Sequence, residues 1–297
     1  MKIGIFDSGL GGLLIAKSIR KKMPEYDYVY LGDTKRVPYG NRSHDAVYQF
    51  TKEGVEYLFK KENCGLIILA CNTASARALR KIQQEYLPAN FPDRKVLGVL
   101  IPTAEEVFNF KKIGILATSG TVSSGTFIEE IKKMQKMENM KLKINKADKK
   151  NKIKKIKSKI YQNSAPMLVP LAEEGETDQA FIFIKKYLKP LLSKKIDALI
   201  LGCTHYPLFK KDFKKMTNIL NKYKVADSGF NNSIKIISQD EIIPKKLKNY
   251  LKNHPKIEKN ISKKGQAKIL VTDITKNVEK LSKKWFGKNT KPELVNL

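Results

Sequence analysis

Short β-branched runs alternate along the chain with longer stretches of helical period. The runs are Lys2–Phe6, Tyr28–Leu31, Leu66–Ala70, Val96–Leu100, Ile113–Ala117, Ala198–Leu201, Tyr223–Ala226 and Lys268–Thr272. The segments between them include Leu13–Lys22, Ser43–Lys60, Ala74–Tyr86 and Asp178–Lys189, and the second of these sets Val47, Phe50, Gly54, Tyr57 and Leu58 on one side. Strands alternating with helices predict parallel sheets covered on both faces, an α/β fold. Ligands of such sheets bind beyond the carboxyl ends of the strands. Four runs end in short polar tips where chemistry is therefore expected: Asp7-Ser8-Gly9, Cys71-Asn72-Thr73, Thr118-Ser119-Gly120-Thr121 and Cys203-Thr204-His205.

Two of these tips resemble each other. Leu66–Thr73 and Leu199–His205 share an apolar run, a small residue, a cysteine and a polar pair, the pattern an internal duplication would leave. A buried cysteine is ordinarily a small hydrophobe. Two at equivalent strand ends, each followed by a hydroxyl or amide residue, suit acid–base work, because a thiol titrates near pH 8.5 and polar neighbours shift it. Cys64 lacks that context and reads as structural. His205 is placed to tune or relay the proton of Cys203, and Asp7 is the matching acidic group for Cys71. The Asp7–Gly12 turn carries glycines that suit an anion resting on backbone N–H groups, although it is neither a dinucleotide fingerprint nor a P-loop. Pro38-Tyr39-Gly40 could present N–H groups to a carboxylate in the same way, and by itself is a turn.

Composition narrows the alternatives. Three cysteines among 297 residues exclude a disulfide framework, and with no CxxC pair and three scattered histidines no metal site is expected. No apolar run approaches the roughly 20 residues that span a bilayer, and no signal peptide is evident, so a cytoplasmic protein is expected. The net charge of +29 would suit a nucleic-acid partner. Only six arginines contribute, all before Lys95, whereas base and phosphate readout recruits arginine. The charge therefore reads as a lysine-rich surface, without nucleic acid as a partner. Residues 131–163 hold thirteen lysines, with Ile153, Ile156 and Ile160 at helical spacing. They read as an insertion, partly an amphipathic helix.

Taken in order, several segments resemble the glutamate racemase family. They are Ile3–Gly12, Leu31–Gly40, Ala70–Ala76, Leu168–Gly175 and Leu201–Leu208. The resemblance implies two flavodoxin-like parallel-sheet domains facing each other across a cleft that holds the active site. These would be residues 1–98 plus 208–297, and residues 99–207. It implies interconversion of L- and D-glutamate without a cofactor or metal, supplying D-glutamate for peptidoglycan, and a homodimer is expected. Residue by residue, Cys71 and Cys203 match the family's catalytic cysteines, and Asp7 and His205 the groups that assist them. Ser8, Tyr39, Gly40, Asn72, Thr73 and Thr204 match substrate-binding positions, together with Asp7 and His205. Thr118 and Thr121 match hydroxyls that help hold a carboxylate, and Glu173 an auxiliary acidic residue. The lysine-rich stretch after Glu130 and the loop Leu100-Ile101-Pro102-Thr103 depart from the family pattern. Racemases acting on aspartate also pair strand-end cysteines and remain the neighbouring alternative.

Overall fold

The computed structural model describes residues 1–144, 155–224 and 233–297. By its contacts the chain divides into two compact units. The first comprises Met1–Val99, Cys203–Pro207 and Gln239–Leu297, the second Leu100–Gly202 and Leu208–Ser238.

The first unit is built on six parallel strands: β1 (Lys2–Asp7), β2 (Tyr28–Gly32), β3 (Cys64–Leu69), β4 (Lys95–Gly98), β9 (Ala267–Val271) and β10 (Glu293–Leu294). They lie in the order β10-β9-β2-β1-β3-β4. β2 and β3 are buried throughout, as unbroken apolar runs must be when helices cover both faces. The helix His44–Lys60 turns Val47, Val55, Leu58 and Phe59 inward, onto a core that includes Phe6, Leu31, Ile67 and Leu69. Ser43 caps its start by accepting from the Ala46 N–H at 3.2 Å. The chain runs from β1 to β2 on one side, then crosses to β3 on the other side of β1. The loops after β1 and β3 therefore diverge, which leaves a crevice at the point where strand order reverses.

The second unit repeats this arrangement on a smaller scale. Its strands are β5 (Lys112–Ala117), β6 (Lys159–Ser164), β7 (Ala198–Gly202) and β8 (Lys235–Ser238), all parallel, in the order β6-β5-β7-β8. Its reversal falls between β5 and β7, the strands that lead into Thr118 and Cys203.

Two parallel-sheet α/β units are thus present, as expected from the sequence, and several finer expectations are corrected. Residues 208–238, expected in the first domain, group with the second, where β8 pairs with β7. Conversely, Cys203–Pro207 group with the first unit. Tyr223 and Lys224 end a helix, Lys210–Lys224, instead of opening a strand, and residues 225–226 lie outside the described ones. The expected Ala74–Tyr86 helix is broken into Asn72–Arg77, Leu79–Lys81 and a π-helical turn at Ile82–Tyr86. In the lysine-rich region the helix Thr126–Ile144 extends to residue 144 and Ile160 lies in β6, not on a helix. Asn139 brackets the backbone of Ile156, donating to its carbonyl at 2.9 Å and accepting from its N–H at 2.8 Å. Ile153 lies outside the described residues. Among those described, no helix is long and apolar enough to cross a membrane.

Candidate active site

β1 delivers Asp7, fully buried, whose Oδ2 accepts the Gly9 N–H at 3.1 Å. β3, the neighbour of β1 across the order reversal, leads to Cys71. The Cys71 Sγ donates to Ser8 Oγ at 3.3 Å and accepts the Ala74 N–H at 3.5 Å, capping the helix Asn72–Arg77. Burial pushes the Cys71 thiol up to about 12, and the Asp7 charge adds to the shift. The Ala74 N–H and the Ser8 hydroxyl, which turns to donate once the sulfur ionises, favour the thiolate and offset part of it, and the neighbouring Cys203 adds a further upward push. Cys71 therefore rests as a thiol at neutral pH.

The segment Cys203-Thr204-His205 groups with these residues in the first unit, and all three of its side chains are buried. His205 Nδ1 stands 3.8 Å from Cys203 Sγ, within reach of a weak sulfur hydrogen bond. The turn that opens the first helix, Gly12–Lys22, fits closely around these groups. A Cβ on Gly11 would lie 2.5 Å from His205 Nδ1 and 2.5 Å from Thr204 Oγ1, and one on Gly12 would lie 2.7 Å from the Asp7 Cβ. Neither glycine has positive φ. The bare backbone at residues 11 and 12 makes room for the side chains of the site, a use distinct from the anion cradle expected of the glycine turn.

The substrate-binding candidates divide by what their side chains already hold. Thr73 is buried two residues after Cys71. Asn72 forms a reciprocal amide pair with Gln239, each donating to the other at 2.8 Å. Gln239 is fully buried and was missed by sequence reasoning, since nothing local marks a glutamine 167 positions away as a partner. The Tyr39 hydroxyl donates to Asp33 Oδ2 at 2.5 Å, and Asp33 also receives Arg36 Nε at 2.6 Å and Thr272 Oγ1 at 2.9 Å. Burial, reinforced by the Asp33 carboxylate, drives the Tyr39 phenol well above its usual range. What the Pro38-Tyr39-Gly40 turn can offer a ligand is therefore backbone N–H, with the ring anchored beneath.

Thr118 and Thr121 lie in the second unit, after β5. The Thr121 N–H donates to Thr118 Oγ1 at 3.3 Å and their hydroxyls stand 3.0 Å apart. Glu173 is half-buried in the helix Leu168–Glu174 of the same unit.

Two of the three buried thiols in the first unit, Cys71 and Cys203, therefore lie beyond strand ends in unlike settings. One is kept protonated by burial and a carboxylate, and the other faces an imidazole. Such a pair suits passing a proton to and from a weak carbon acid. A family model described as Asp/Glu/Hydantoin racemase matches residues 14–228. The glutamate racemase of Sulfurihydrogenibium sp. (strain YO3AOP1) is 38% identical over 304 residues, covering 100% of this chain and 99% of that protein. The glutamate racemase of Aquifex aeolicus (strain VF5) is 35% identical over 301 residues, covering 100% and 98%. Among solved structures, glutamate racemase from Francisella tularensis subsp. tularensis SCHU S4, in complex with D-glutamate, superposes with a TM-score of 0.79 at 28% identity, covering 99% of this chain and 97% of that one.

Proposed function

The chain belongs to the Asp/Glu/hydantoin racemase family, and we propose that its reaction is the cofactor-independent interconversion of L- and D-glutamate, with Cys71 and Cys203 as the two proton-transfer groups. The observation that carries this reading is the unlike pair of buried strand-end thiols. Racemisation removes the Cα proton from one face and returns one to the other. A single base tends to return the proton where it came from, whereas a thiolate and a thiol on opposite faces complete the inversion and exchange roles with direction. In the L-to-D direction the Cys203 thiolate, with the His205 imidazole within reach, takes the Cα proton, and the Cys71 thiol donates its own to the other face. The reverse reaction begins with Cys71 as thiolate, so Cys71 acts on D-glutamate and Cys203 on L-glutamate. Asp7 assists Cys71 as His205 assists Cys203.

The Cα–H of an amino acid is far less acidic than a thiol, so the carbanion must be stabilised by preorganised donors around the α-carboxylate in a site closed to water. Thr73, Thr204 and Ser8 hydroxyls, the backbone N–H groups at Asn72 and Gly40, and the Thr118–Thr121 pair are the assigned donors, with Glu173 an auxiliary acid. The product role is supply of D-glutamate to peptidoglycan by a cytoplasmic homodimer.

The test is proton NMR in D2O with each glutamate enantiomer and no added cofactor. Loss of the Cα–H signal with decaying optical rotation is expected, and Cys71→Ala or Cys203→Ala should abolish the decay. Near-normal turnover in either variant refutes the two-thiol mechanism. Exchange with aspartate alone moves the substrate assignment.

A further inference from the structure

The chain contains a single tryptophan, Trp285. It ends the helix Lys276–Trp285 and is 3% exposed. Its indole meets the His205 imidazole edge to face, with ring centroids 5.7 Å apart and planes at 84°, a geometry that aromatic quadrupoles favour. The imidazole is confined elsewhere by the backbone of Gly11, which leaves no space for even one added carbon. A 3.8 Å contact from nitrogen to sulfur survives only if the ring cannot turn away, and the indole is a large rigid wall against such turning.

We propose that Trp285 is a positioning residue that holds His205 in register with the Cys203 thiol. The inference rests on the racemase reading above. Trp285 acts through the imidazole, not on substrate. Misplacing a catalytic group by about 1 Å can cost ~10²-fold in rate, so Trp285→Leu should lower racemisation by about that factor, while Trp285→Phe, which keeps a ring against the imidazole, should stay close to native. Enantiomers have equal free energy, so kcat/KM must fall equally in both directions.

Hydrogen exchange separates positioning from damage to the fold. With the Cys203 end impaired, Cys71 still removes the proton of D-glutamate and returns deuterium from D2O to the same face. Exchange relative to racemisation should therefore rise for D-glutamate and not for L-glutamate. Equal losses of exchange and racemisation from both enantiomers would indicate general structural damage and overturn the proposal, as would native rates in Trp285→Leu. A second measurement needs no substrate. His205→Gln should alter the emission of the lone tryptophan, and spectra indistinguishable from those of the native protein would overturn the contact even if the leucine variant fails to fold. Silence of the native protein toward both glutamates would instead sink the functional reading, leaving emission to judge the ring contact.

Discussion

Gly11→Ala puts the packing around His205 to a sharp test. The backbone at Gly11 is right-handed helical, with φ −58° and ψ −34°, so alanine is conformationally allowed. Judged on the backbone alone, the substitution should stabilise the protein by about 0.4–1 kcal/mol, because it restricts the unfolded chain. The added Cβ, however, would lie 2.5 Å from both His205 Nδ1 and Thr204 Oγ1. Carbon contacts settle near 3.5–4 Å, so these side chains must retreat by about 1 Å. Overpacking of this kind costs about 1–3 kcal/mol. The net destabilisation is then at most about 2–3 kcal/mol, a fall in Tm of several degrees at roughly 2–4 °C per kcal/mol for a chain of this size class. The kinetic effect should be larger, because the same displacement carries His205 away from Cys203 and costs ~10²-fold in kcat/KM. Initial rates by circular dichroism from both enantiomers, alongside a calorimetric melt, give both numbers. A variant with native rates and a raised Tm would show that His205 and Thr204 do not stand where the structure puts them. A rate loss no larger than the loss of folded protein would show that their position has no part in catalysis.

Cys71, with its thiol raised to about 12, should be alkylated by iodoacetamide slowly at pH 8, where little of it is thiolate. Its rate should keep climbing tenfold per pH unit past pH 9, and peptide mapping that shows a plateau near the ordinary thiol value would refute the shift. Gln239→Leu removes both hydrogen bonds that the buried Asn72 amide makes with Gln239 and should cost about 2–3 kcal/mol, read as a lowered urea midpoint with weakened glutamate binding; an unchanged midpoint would remove Gln239 from the site. Burial raises the Asp27 carboxyl, but N–H donors from Gln266 and Lys264 and the Ser262 hydroxyl outweigh it, so its folded pKa lies below the ordinary value. Its stabilisation is complete above the unfolded value of about 3.9 and is lost as pH falls through the folded one. Asp27→Asn should therefore flatten the acid limb of the stability curve, and an unaltered limb would refute the shift.

The interior strands were legible because both faces of β1, β3, β5 and β7 are buried, and burial on both sides writes an unbroken apolar run. β6 carries Lys159, Gln162, Asn163 and Ser164 at a sheet edge where no residue is fully buried, so its sequence looks like the lysine-rich segment before it. β8 has four residues, of which only Ile237 and Ser238 are buried, too short to stand out from a helix end. The domain boundary shifts with it, since residues 208–238 bring β8 into the second sheet. The chemistry at the tips was easier to find than its support. Asp7 ends β1, and Cys71, Cys203 and His205 lie within three residues of a strand end, so their position in the fold is dictated by the strand that precedes them. Their partners are not dictated this way: Gln239 reaches Asn72 from another helix, and Trp285 reaches His205 from the last one. The glycine turn shows the limit most clearly. Gly9, Gly11 and Gly12 announce bare backbone after a strand, and a bare backbone serves equally to cradle an anion or to let a neighbouring side chain approach. Only the identity of the neighbour separates the two, and at Gly11 and Gly12 the neighbours are His205 and Asp7, contributed by different strands. That closeness ties the two assisting groups to one turn, so a change there should disturb both thiols together, whereas a change at Trp285 should disturb only one.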